Sequence, residues 1–217
     1  MSELAVKALL SYLLGSIVGG LLIGRFRGVD IRTLGSGNAG ATNALRTQGK
    51  KVALCVLLID VAKGWIATAL LAPLALPGMA PSAAQLQAWC AAVCGIAVML
   101  GHIYPLWYGL RGGKGMATLV GAVLGISPWL LVPMILTWLA AVILFGFVGL
   151  GSMLACLALA VSIAVSHLTP RVPLLTFGIL AALLVVFTHR ANIARMRAGT
   201  ESRSRRLWLL GSRRGVA

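Results

Sequence analysis

The sequence predicts an all-α, polytopic integral membrane protein with seven transmembrane helices, and three observations lead there. Of 217 residues, 59% are hydrophobic and 11% charged, far below the roughly 25% charged share of a soluble domain. The apolar residues fall into long runs without the alternation of a β-barrel, and backbone in lipid must satisfy its own polar groups, so the runs are helices. Basic residues gather in alternate linkers, as the topology of spanning helices requires.

The first segment, 4–24, holds one charge, Lys7, and lacks a signal-peptide cleavage pattern, so it reads as a span. Segments 52–72 and 86–104 follow. The run from Met116 to Leu144 is too long for one ordinary helix and contains Ser127-Pro128. Proline has no N–H and restricts the residue before it, which divides the run into 116–126 and 129–148, with Pro133 as a kink in the second. Segments 150–168 and 173–188 complete the seven.

Linker 25–51 carries Arg25, Arg27, Arg32, Arg46, Lys50 and Lys51, whereas 73–85 carries no charge. Linker 105–115 has Arg111 and Lys114, and eight arginines follow residue 188, from Arg190 to Arg214. Arg171 is the one positive residue in an outside linker, and the corner at 149–151 is uncharged. The positive-inside rule then sets the N-terminus outside and the C-terminus in the cytoplasm. Residues 1–202 form the membrane domain and 203–217 a basic cytoplasmic tail near anionic lipid. Topology explains most of the net charge of +15; without basic–aromatic interleaving or a binding-fold motif, no nucleic-acid partner is expected.

Trp65, Trp89, Trp107, Trp129, Trp138 and Trp208 fall mostly near expected helix ends, as interfacial anchors do. Cys55, Cys90, Cys94 and Cys156 all lie in apolar runs without a C-x-x-C and read as small hydrophobes. No metal and no cofactor is expected.

The polar residues collect at one face. Gly35 to Arg46 reads GSGNAGATNALR. Its glycines Gly35, Gly37 and Gly40 free backbone N–H groups for a tight turn. Ser36, Asn38, Thr42 and Asn43 add hydroxyls and amides, and Arg46 a five-donor cation. The run can wrap a phosphate, or it can be a polar re-entrant turn. The same face holds His102 in GHIYP (101–105), the GGKG of Gly112 to Gly115, and His189 with Asn192. GGKG is not a nucleotide loop, since Tyr108 stands where its first glycine belongs and Gly115 follows the lysine. Lys114 is either an anion ligand beside a helix start or a positive-inside marker. Asp60 and Lys63, three apart on one helix face, read as a structural pair, with substrate contact as the alternative. His189 could serve as a general base, and Asn192 shares its face. No histidine is followed by an acid five residues on, and G-x-S-x-G is absent. A transporter would show polar outer linkers or repeated halves, and neither is present.

In order, Ser11 to Ser16, Asp30-Ile31-Arg32, GSGNAGATNALR, Asp60-x-x-Lys63-Gly64, GHIYP, GGKG and HRANIARMRAGTE (189–201) resemble the bacterial inner-membrane glycerol-3-phosphate acyltransferases that use acyl-phosphate. The resemblance runs from Ser11 to Glu201. It implies seven helices and a cytoplasm-facing site that moves a fatty acyl group from acyl-phosphate to the 1-hydroxyl of sn-glycerol 3-phosphate. It places catalytic roles on Ser36, Arg46, Lys114, His189 and Asn192, and substrate binding on Gly35, Gly37, Asn38, Thr42, Asn43, His102, Gly112 and Gly113. Asp60 and Lys63 remain structural. The implied partners are the two substrates, membrane lipid, and handover from the soluble enzyme that forms the acyl-phosphate. The pattern departs where the helix-five to helix-six link reads Gly146-Phe147-Val148-Gly149 with Ser152 retained, lacking the usual arginine.

Overall fold

The computed structural model describes residues 2–78, 83–204 and 207–208; most of the tail expected at 203–217 lies outside them. Ser2 caps α1 (Glu3–Gly15), accepting a hydrogen bond from Ala5 N. The single span expected over 4–24 is instead two helices, because α2 (Gly19–Phe26) leaves α1 at a bend of 45°. A short α3 (Ala41–Thr47) leads to α4 (Lys50–Trp65), which continues as a π-helix over Ile66–Leu71. After α5 (Ala84–Gln87) come α6 (Cys90–Ile103) and α7 (Met116–Ile126). Ser127 is extended and Pro128 opens a 3₁₀ turn into α8 (Leu131–Phe145), so the chain breaks where the proline argument puts it. The bundle closes with α9 (Val148–Val165), α10 (Arg171–Thr188) and α11 (Arg190–Arg197).

Five of these helices are long and apolar enough to cross a membrane, or six if the bent α1–α2 pair counts as one span. α7 has 11 residues, about 16 Å of helix against a hydrocarbon core of about 30 Å. α1 packs on α6, α4 on α7, α8 on α9, and α10 between α6 and α9. Met99, Leu119, Leu159, Ile163 and Phe177 fill the centre.

The bend after α1 explains the buried ion pair. No proline stands there, and a helix broken within lipid leaves carbonyls and N–H groups without partners. Lys63 Nζ donates to Gly15 O (2.9 Å) and Ile17 O (2.8 Å), satisfying the end of α1. Asp60 Oδ1 accepts from Gly19 N (3.1 Å), satisfying the start of α2, and pairs with Lys63 Nζ at 2.9 Å. Lys7 does related work at the opposite end of α1. It pairs with Glu3 (3.0 Å) and donates to Ala72 O (2.9 Å), just past the π-helical segment.

Candidate active site

The loop before α3 is held by its own side chains. Asp30 Oδ1 accepts from Arg32 N (2.9 Å), and the Arg32 guanidinium grips both carboxylate oxygens. That guanidinium holds the Asp30 carboxyl below the usual carboxylate range. Arg32 Nη1 also reaches Tyr108 O (3.0 Å) and Arg111 O (3.1 Å), tying this loop to the one after α6. Asn43, expected among the substrate-binding residues, commits its amide to the loop. Its Oδ1 accepts from Ser36 N (2.9 Å), and its Nδ2 donates to Ile31 O (3.2 Å) and Leu34 O (2.9 Å). Gly35 is left-handed, φ 56°, and any Cβ there would run into Asn43 Oδ1. The effect is to present Ser36, Asn38, Thr42 and Arg46 on one wall of a cavity of about 890 Å³.

GGKG forms the facing wall. Gly112 N donates to Ile103 O (3.0 Å) and Gly113 N to His102 O (3.1 Å). Those N–H groups are therefore spent on α6; Gly112 and Gly113, like Gly37, shape their loops without lining the cavity. Thr188 Oγ1 donates to Lys114 O (3.1 Å), fastening the loop to the end of α10. Lys114 Nζ donates to Asn192 Oδ1, while Asn192 Nδ2 donates to Glu201 Oε1 (2.6 Å). Arg195 Nε binds the other carboxylate oxygen, Glu201 Oε2, at 2.6 Å. Ammonium, amide, carboxylate and guanidinium thus form one chain along the wall, and the donor and acceptor ends of Asn192 are set by their charged neighbours.

Burial, reinforced by the nearby Arg195 and Arg46 charges and opposed by Glu201, brings the Lys114 pKa down to about 8. His189 Nδ1 donates to Val185 O (2.8 Å), so the neutral imidazole keeps a lone pair on Nε2. Burial first, then Lys114, lowers its pKa to about 4. The expected pH profile follows from these signs. The sequence reading expects Lys114 to bind an anion, which a lysine does as the ammonium, so kcat/KM is expected to fall as pH rises through about 8, where free Lys114 loses its proton. Bound phosphate favours the ammonium, so the kcat limb should lie at higher pH. A Lys114→Arg variant should lose this limb, since arginine stays charged; a limb unmoved in that variant would assign it elsewhere.

Ten of the expected catalytic and substrate-binding residues meet on this cavity: Gly35, Ser36, Asn38, Thr42, Asn43, Arg46, His102, Lys114, His189 and Asn192. Asp60 also borders it. The sequence reading missed Arg195, Thr200, Glu201 and Ser202. Arg195 had a signal, standing three residues beyond Asn192 and six beyond His189 on one helical face. Glu201 had another, as one of four acidic residues in the chain. Away from these groups the cavity turns apolar, walled by Leu57 of α4, Met116 and Val120 of α7, and Leu131, Ile135 and Trp138 of α8. Trp138, expected as an interfacial anchor, lines this arm instead, whereas Trp107 and Trp129 are exposed.

The uncharged α8–α9 corner belongs to the site as well, since Val148, Gly149 and Ser152 line the cavity. The chain after α11 returns onto that corner. Ser204 N donates to Gly146 O (2.8 Å), and the Arg203 guanidinium lies over Phe147 and Trp208 at 4.8 and 4.1 Å. Among the described residues, no cluster of three His, Cys, Asp or Glu is placed to hold a metal ion.

A family model described as glycerol-3-phosphate acyltransferase matches residues 5–199. The glycerol-3-phosphate acyltransferase of Geotalea daltonii is 41% identical over 88% of this chain and 93% of its own. That of Agrobacterium fabrum is 41% identical over 92% and 91%. The fold matches the crystal structure of PlsY (YgiH), an integral membrane glycerol 3-phosphate acyltransferase, in its glycerol 3-phosphate form. That match has a TM-score of 0.81 and 33% identity over 94% of this chain and 96% of that one. A cavity with a cationic end and an apolar arm is thus carried on a fold and a sequence shared with these proteins, and the chain belongs to the glycerol-3-phosphate acyltransferase family.

Proposed function

We propose that this protein transfers a fatty acyl group from acyl-phosphate to the 1-hydroxyl of sn-glycerol 3-phosphate. The products are 1-acylglycerol 3-phosphate and inorganic phosphate. One observation carries the reading: a single cavity joins three cations, Arg46, Lys114 and Arg195, to an arm of aliphatic side chains and Trp138. Both substrates bear phosphate, and one bears a chain that suits the apolar arm. Ser36, Asn38 and Thr42 hold phosphate oxygens through their side chains, the Ser36 N–H being spent on Asn43 Oδ1. Arg46 and Lys114 neutralise charge on the leaving phosphate. His189 and Asn192 orient the glycerol, with His102 in support.

The donor is a mixed anhydride with a good leaving group, so positioning and electrostatics suffice. The glycerol 1-oxygen attacks the acyl carbon and the bond to the donor phosphate oxygen breaks. The hydroxyl proton passes to the phosphate of glycerol 3-phosphate, and no acyl-enzyme forms. The basic linkers support seven crossings, with α1–α2 as one span and α7 as a short one. They also support an outside N-terminus and a site facing the cytoplasm of the bacterial inner membrane. Residues 1–202 are the acyltransferase domain and 203–217 a basic tail.

Purified protein given palmitoyl-phosphate and glycerol 3-phosphate should release phosphate and acylated product in equal amounts, and palmitoyl-CoA should not substitute. Activity with the thioester alone would overturn the donor assignment. In a single turnover with labelled donor the protein should stay unlabelled; label trapped on Ser36 would overturn direct transfer.

A further inference from the structure

Closing the helix break accounts for Asp60 and Lys63 but not for the third member of their cluster. His102 Nδ1 lies 2.8 Å from Lys63 Nζ and 3.3 Å from Asp60 Oδ1, and the ring is buried. Lys63 has three protons. Two are spent on Gly15 O and Ile17 O, and the third lies between Asp60 and the imidazole. The Nδ1 edge of His102 is therefore committed to the pair. The Nε2 edge faces Gly113, where an added Cβ would collide with it. Gly113 is bonded to the His102 carbonyl and immediately precedes Lys114. Ionisable groups at such depth are costly and carry a function.

We propose that His102, clamped by Lys63 and Asp60, is a positioning residue that sets where Lys114 stands in the cavity. The imidazole is a wedge between the α1–α2 bend and the GGKG loop. Its ring props Gly113, the Gly112 and Gly113 N–H groups tie the loop to the end of α6, and Thr188 holds the Lys114 carbonyl from the other side. The ammonium then meets Asn192 without having to search for it. Supporting groups of this kind are what hold a phosphate ligand to within a fraction of an ångström.

The proposal rests on Lys114 as a phosphate ligand, and a double-mutant cycle separates the two ideas. The readouts are the inhibition constant of inorganic phosphate and the alkaline limb of kcat/KM, each on monodisperse protein of known melting temperature. Lys114→Ala should weaken phosphate; an unchanged constant would sink the ligand reading, and the positioning role with it. Gly113→Ala leaves the ion pair untouched and should weaken phosphate by about tenfold, moving the limb to higher pH as Lys114 becomes better solvated. In a His102→Ala background the same glycine change should alter either readout by less than about twofold, because the ring it collides with is gone. An equal cost in both backgrounds, with Lys114→Ala still weakening phosphate, would overturn the positioning role alone. If His102→Ala fails to fold, Gly113→Ala decides: wild-type phosphate affinity and limb would overturn the proposal.

Discussion

Replacing Lys114 by alanine is expected to cut turnover by roughly 10²-fold or more, the cost of removing one donor aimed at developing charge. Charge builds on the departing phosphate as the acyl bond breaks, and Lys114 is the half-buried ammonium lining the same cavity as Arg46. The change also strips Asn192 Oδ1 of its charged donor, freeing the amide that Glu201 holds at its other end. Both effects act on the reacting groups and neither on the bundle core. The loss should therefore appear in kcat as well as kcat/KM, with the melting temperature nearly unchanged. Near-normal acyl transfer by a folded Lys114→Ala protein would remove this residue from the mechanism. Arginine should rescue poorly, since a planar fork does not replace the compact ammonium that meets Asn192 Oδ1.

Lys63→Ala should instead cost stability, about 3–5 kcal/mol, the penalty for leaving one member of a buried ion pair without its partner. The Asp60 carboxylate would stay fully buried beside only His102 and the Gly19 N–H. The carbonyls of Gly15 and Ile17 would lose their donor at a helix break that lipid cannot hydrate. Replacing both partners, Asp60→Leu with Lys63→Met, removes the charge penalty but leaves the backbone groups unmet. The double variant should therefore recover only part of the loss. Size-exclusion recovery after stepped heating in detergent measures this directly. A single variant that melts like the parent would mean the bend does not depend on the pair.

Particular residues show how much was legible in advance. Pro128 removes an N–H and pushes Ser127 into extended backbone, so the break after α7 is a local property of two residues. The break after α1 has no such breaker. It depends on Lys63 and Asp60, which lie 48 and 41 residues from the groups they satisfy. Asn43 and Thr42 looked alike as polar loop residues, yet only the folded loop shows that Asn43 is consumed by Ile31, Leu34 and Ser36. Gly113 invited a reading as room for phosphate, and the fold uses its missing side chain to admit the His102 ring. Glu201 stood out only as one of four acidic residues and not as the group that orients Asn192, and Trp138 gave no local sign that it would line the apolar arm.

The sequence by itself determined that the chain is helical and membrane-embedded, where most helices begin and end, and which polar clusters share a face. Those properties follow from hydropathy, charge and backbone chemistry, which act over a few neighbouring residues. Only the tertiary structure decided the bend in the first segment, the joining of Lys114, Asn192, Glu201 and Arg195 into one wall, and the division between residues that line the cavity and residues that hold its loops. Each of these depends on which helix packs against which, and that is settled by contacts between residues far apart in the chain.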